Sequence, residues 1–148
     1  MFTIPTYIAK SDIEGMGVFT AVPVKKGEII WKFNPDVDQR FTSKEFRNLL
    51  GTLSKENADK LKSWVYYENN VWILCGDNAK FCNHSEDNPS SSEQEVDGEM
   101  TYCVARRDLD PGDEITCNYK SFDDNDKQVD GELYDKKRKK ITNKNRKT

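Results

Sequence analysis

The chain has one histidine, His84, and no cysteine beyond Cys117. One imidazole cannot furnish the histidine pairs of a hydrolytic metal centre, and no other ligands cluster near it. The four cysteines (Cys75, Cys82, Cys103 and Cys117) fit no metal-binding knuckle and read as small buried hydrophobes. No apolar run approaches the roughly 20 residues of a membrane span. The opening Met1-Phe2-Thr3-Ile4-Pro5 lacks the basic region and long apolar stretch of a signal peptide. The expectation is a cytoplasmic or nuclear protein without stable disulfides.

Basic charge is concentrated in one place. Residues 136–148 carry eight Lys or Arg and no acid, which leaves 15 basic against 26 acidic residues elsewhere. The body is therefore acidic, at about −11, and its field favours a basic peptide over nucleic acid. Direct nucleic-acid binding is expected only through the tail. That tail reads as a solvated terminus first, then as a nuclear address or a nucleic-acid tether.

At 148 residues and 35% hydrophobic, one domain with its own core is expected. Tyr7–Lys10, Val18–Ala21, Ile29–Phe33, Val71–Cys75, Met100–Ala105 and Ile115–Tyr119 have the β-branched and aromatic content of strands. Two helices are expected between them. Ser43 is the cap of the first, with apolar spacing at 46, 49, 50 and 53. Ser54 is the cap of the second, which runs to about Trp64 with Ala58, Leu61 and Val65 on one face. The polar stretch from Asn88 to Gly98 reads as a loop. The class is mainly β with minor helix. Residues 1–126 form the domain and 127–148 a charged tail expected to be disordered.

Three segments carry chemistry. Gly15-Met16-Gly17 is a turn whose glycines permit close approach and unusual φ angles. It lacks the third glycine and the helix of a dinucleotide fingerprint. Asn83-His84-Ser85 holds the one imidazole. Cys82 and His84, two apart, would face one way in a strand, but no local signature supports a thiolate–imidazole nucleophile. Glu114-Ile115-Thr116-Cys117-Asn118-Tyr119 is strand-like and follows the turn Asp110-Pro111-Gly112-Asp113.

In this order and at these separations, the three segments resemble the signature segments of the SET domain family, over roughly residues 4–124. The resemblance implies small curved sheets around a C-terminal pseudoknot and transfer of methyl groups from S-adenosyl-L-methionine to the ε-amine of a protein lysine. S-adenosyl-L-homocysteine would be the product, and the substrate a basic protein, histone or histone-like. The implied cofactor contacts are Gly15, Met16, Gly17, Asn83, His84, Tyr119 and Phe122, with Phe122 over the adenine. Tyr119 is the implied catalytic residue. Tyr66, then Tyr67, are the implied aromatic wall of the lysine channel. Cys117 stands where relatives carry a Phe or Tyr that limits methyl number, so the resemblance implies room for more than one methyl.

The chain departs from the family pattern in four places. Glu86-Asp87-Asn88 lengthen the loop before Pro89, Ser90 replaces the usual asparagine, and Asn118 replaces aspartate. The zinc-binding cysteine cluster that closes the channel in many relatives has no counterpart, so no metal is expected. Closure then falls to Lys120–Asp124 or to a second subunit. Trp31-Lys32-Phe33-Asn34-Pro35 and the short length look most like small stand-alone SET proteins of bacteria, viruses or algae. A SET-shaped module that binds a basic peptide and catalyses little is the alternative.

A tyrosine suits the implied chemistry. Only about one lysine in a few thousand is neutral at pH 7, given a pKa near ~10.4. A narrow, partly dry channel beside a sulfonium lowers that pKa by desolvation and like-charge repulsion. A phenol then orients the lone pair, and positioning supplies most of the acceleration.

Overall fold

The computed structural model describes residues 1–68, 70–96 and 99–118. The tail, Tyr119 and Phe122 lie outside the described residues.

Strands β1 (Thr6–Lys10) and β2 (Met16–Thr20) form an antiparallel hairpin whose connection carries Gly15. After β3 (Ile29–Lys32) and β4 (Gln39–Phe41) come helices α1 (Ser43–Gly51) and α2 (Lys55–Trp64). The chain returns through β5 (Val65–Glu68) and β6 (Val71–Leu74) to a 3-10 turn, Asn78–Phe81, and the two-residue strand β7 (Asn83–His84). A hairpin of β8 (Ser91–Val96) and β9 (Glu99–Ala105) precedes β10 (Glu114–Cys117). The strands make three small sheets, ordered β1-β2-β10-β7, β3-β9-β8 and β4-β6-β5. This is the expected mainly β architecture with minor helix.

Two apolar clusters hold it together. The larger joins all three sheets through Val18, Ile30, Trp31, Ile73, Leu109 and Ile115. The smaller sits under α1, where Phe46 stacks on Trp72 at 4.8 Å and Tyr67 packs on the same indole at 4.9 Å. Burying a ring of this size contributes about 1.5–3 kcal/mol. Asp38 is buried and satisfied: it accepts from the backbone N–H of Asn34 (2.9 Å) and Gly76 (3.0 Å) and pairs with the Met1 ammonium (2.8 Å).

Local expectations needed three corrections. Helix α1 is capped by Thr42, not Ser43: the Thr42 hydroxyl accepts from Glu45 N–H, and the Glu45 carboxylate accepts from Thr42 N–H, each at 3.1 Å. The pairing of a hydroxyl with an acid three residues later selects Thr42, and Ser43 instead accepts from the Trp72 indole N–H at 3.1 Å. Val65 belongs to β5 rather than to the face of α2; Ser54 does cap α2. The stretch read as a polar loop contains β8, which pairs with β9 from Ser91↔Ala105 to Val96↔Glu99. At a sheet edge, backbone complementarity outweighs weak side-chain propensity.

Candidate functional site

Strand β10 brings the three sequence segments together. It runs antiparallel to β2, with Glu114 opposite Phe19 and Ile115 opposite Val18. On its other side it runs parallel to β7, with Asn83 opposite Thr116 and His84 opposite Cys117. The Ser85 N–H donates to the Cys117 carbonyl at 2.9 Å and extends that ladder by one bond.

Asn83 is the hub. Its Nδ2 donates to Glu114 Oε1 at 2.9 Å, to the Glu14 carbonyl at 3.1 Å and to the Met16 carbonyl at 3.3 Å. All three neighbours are acceptors, so the amide nitrogen rather than its oxygen must face them. One side chain thus ties the glycine turn, the asparagine–histidine segment and the start of β10. Glu114 lies in the third segment, where the sequence alone gives it no role. Its place opposite Phe19, once β10 pairs with β2, is what discloses one.

The two glycines serve different ends. Gly15 has φ +48, and a Cβ there would meet nothing within 4 Å, so open space lies before it. The turn is closed by Ser11 N–H donating to the Gly15 carbonyl at 2.8 Å. At Gly17 a Cβ would lie 2.1 Å from Glu114 Oε1 and 3.1 Å from Ser11 Cβ. Gly17 therefore admits the Glu114 carboxylate, while Gly15 supplies the backbone angle. Between them Met16 is 48% exposed.

His84 is buried, with Nε2 3.4 Å from Glu86 Oε1. The longer loop that follows is held by Arg107, whose Nη1 donates to the Asn88 carbonyl (3.2 Å), the Asn88 side-chain oxygen (3.1 Å) and the Pro89 carbonyl (3.2 Å). Ser90, fully buried, then acts as a substitute strand for β10. Its hydroxyl accepts from Thr116 N–H at 2.8 Å and donates to the Glu114 carbonyl at 3.0 Å. Its own N–H donates to Thr116 Oγ1 at 2.9 Å, and the Ser91 hydroxyl donates to the Thr116 carbonyl at 2.8 Å. This is the crossing of loop and C-terminal strand, stitched by side chains.

The channel candidates divide. Tyr66 is half-buried and packs against the larger core cluster, which also receives Cys82. Tyr67 is buried in the smaller cluster, where its hydroxyl meets Asn70 Oδ1 at 3.3 Å. Cys117 is buried at the end of β10, its sulfur 3.4 Å from that of Cys82. Tyr119 and Phe122 fall beyond the described residues, the last of which is Asn118. Asp12 and Glu14 precede the glycine turn, and Glu86 and Asp87 follow His84; neither stretch, 12–17 or 85–88, contains a basic residue.

No curated protein sequence matches the chain. Its fold is similar to that of a Plasmodium falciparum protein assigned as a histone methyltransferase, at TM-score 0.53 and 23% identity over 79% of this chain and 94% of that one. It is also similar to a chain of the Chaetomium thermophilum Polycomb Repressive Complex 2, autoinhibited and bound to S-adenosylmethionine. That match has TM-score 0.63 and 20% identity and covers 91% of this chain, but this chain spans only 17% of that larger one. The same complex bound to the inhibitor GSK126 gives TM-score 0.61 at 18% identity, over 82% of this chain and 16% of the other. Residues 15–120, which run from the first glycine of the turn to one residue past Tyr119, match the SET domain model, and the chain belongs to the SET domain family.

Proposed function

We propose that this chain transfers methyl groups from S-adenosyl-L-methionine to the ε-amine of a lysine in a basic protein, histone or histone-like. The observation that carries the reading is the Asn83 hub, which ties all three signature segments together at the start of β10. Methyltransferase relatives with the same fold, one of them bound to S-adenosylmethionine, support methyl transfer in general.

The residues present suit that cofactor. The open space before Gly15 and the half-exposed Met16 leave one face of the turn available, while Asn83 fixes its carbonyls from the other. The holding groups would be Gly15, Met16, Gly17, Asn83, His84, Tyr119 and Phe122. When bound, S-adenosyl-L-methionine supplies an electrophilic methyl on a sulfonium. The Tyr119 phenol orients the incoming neutral amine towards it, and the amine's surplus proton leaves to water. Tyr66 is the preferred channel wall, since it faces the cluster that contains Ile115 and Cys82; Tyr67 is the second choice. The small Cys117 leaves room for more than one methyl. Acidic residues around both loops favour a positively charged peptide. The lysine-rich tail beyond residue 126, first of all a solvated terminus, is also a target for self-methylation, and a homodimer is one route to closing the channel.

Calorimetric titration with S-adenosyl-L-methionine, followed by transfer of labelled methyl to a histone mixture, tests the reading. Tyr119→Phe should keep cofactor affinity within a few-fold and lower transfer at least ~10-fold. Cofactor or peptide binding by the wild type without turnover would overturn the enzyme reading in favour of a peptide-binding module.

A further inference from the structure

Two thiols stand together beside the site, and methyl transfer uses neither as a reacting group. Cys82 Sγ and Cys117 Sγ are 3.4 Å apart, and Cys82 Sγ is also 3.4 Å from the Ile115 carbonyl. Cys82 is half-buried and directly precedes β7, whereas Cys117 ends β10 and is buried. The parallel register sets Cys117 opposite His84, two residues past Cys82, so the sulfurs meet on a diagonal of the ladder. Cys75 and Cys103, by contrast, lie in the larger core cluster.

We propose that Cys82 and Cys117 are an oxidative modification site, a dithiol that a peroxide converts into a reversible intramolecular disulfide. Cys82, the more accessible sulfur, loses its proton to water and attacks one peroxide oxygen. The O–O bond breaks, and the sulfur becomes a sulfenic acid as the departing hydroxide takes up a proton to form water. The Cys117 sulfur then attacks that sulfenic sulfur and loses its own proton. The S–O bond breaks, and a second water leaves. Two thiols give up two electrons and two protons, and one hydrogen peroxide becomes two waters.

A disulfide needs sulfurs about 2.05 Å apart, so the two sulfurs, now 3.4 Å apart, need only a short approach for the bond to form. The bond would form whether or not the chain transfers methyl groups.

The test uses the full chain, fully reduced, titrated with hydrogen peroxide, alkylated under denaturing conditions and mapped by peptide mass spectrometry. Alkylatable thiols should fall from four to two, with one linked peptide pair joining Cys82 to Cys117 and a return to four after dithiothreitol. In Cys82→Ser the linked pair should vanish, and Cys75, Cys103 and Cys117 should all remain alkylatable. A link that includes Cys75 or Cys103, a link between two chains, or thiol loss without any link would each overturn the proposal.

Discussion

The Asn83 carboxamide nitrogen sits 2.9 Å from the Glu114 carboxylate, a contact that spans 31 residues of sequence and fixes β7 against the start of β10. The same nitrogen holds the carbonyls on either side of Gly15. Because its surroundings are acceptors only, the site demands a donor at position 83.

Asn83→Asp should therefore be worse than Asn83→Ala. Alanine removes hydrogen bonds and leaves acceptors to be satisfied by water, at a cost of about 1–3 kcal/mol. Aspartate adds a negative charge facing the Glu114 carboxylate and two carbonyls. Denaturant melts should rank wild type above Asn83→Ala above Asn83→Asp. Calorimetry should find cofactor affinity reduced at least ~10-fold, about 1.4 kcal/mol, in both. An Asn83→Asp protein as stable as wild type would refute the hub.

The glycines should differ in how they fail. Gly15→Ala meets open space but keeps φ +48, so only the left-handed strain of about 1–2 kcal/mol applies. Gly17→Ala must displace the Glu114 carboxylate, the mobile end of a side chain. Glu114→Ala should relieve that clash, so the double-mutant cycle should show coupling of about 0.5–3 kcal/mol. Gly76→Ala should be the most damaging, because its Cβ would lie 2.0 Å from the Val37 carbonyl oxygen, which is backbone and cannot swing away. Thermal denaturation of the three glycine variants checks the order.

Ser90→Ala should cost about 1–3 kcal/mol by denaturant melt, because it leaves the buried Thr116 N–H without its partner. Ser90→Thr keeps the hydroxyl and should recover part of the loss. If Ser90→Ala and Ser90→Thr melt together, the hydroxyl is not what holds β10 in place.

Ser90 also illustrates what the sequence could and could not disclose. Its departure from the family's asparagine was visible, but its use as a surrogate strand depends on β10 returning beside it from 26 residues away. The strands with β-branched and aromatic runs were legible because their burial and propensity agree, as in Ile29–Lys32 and Val71–Leu74. Strand β7 was not, since two residues carry no periodicity and exist as a strand only through pairing with Thr116 and Cys117. Of the candidate site, the glycine turn, Asn83 and the β10 segment were named from sequence and do meet. Arg107 was not named: nothing in Ala105-Arg106-Arg107-Asp108 distinguishes the arginine that holds the Asn88–Pro89 loop from its exposed neighbour.

The α1 cap predicts a pH signature. Glu45 has its carboxyl held below the usual carboxylate range, first by the Thr42 backbone N–H and second by the Thr42 side chain. A carboxylate depressed in the folded state adds stability that is fully present above its unfolded pKa, near ~4.3. That stability disappears as pH falls through the lower folded value. Glu45→Gln removes the titrating group, and its amide cannot reproduce the charged acceptor at the helix N-terminus. Denaturant melts from pH 7 to pH 3 should show wild type above Glu45→Gln at neutral pH, with the gap closing as acid protonates Glu45. A gap that stays constant down to pH 3 would place the effect in packing rather than in charge.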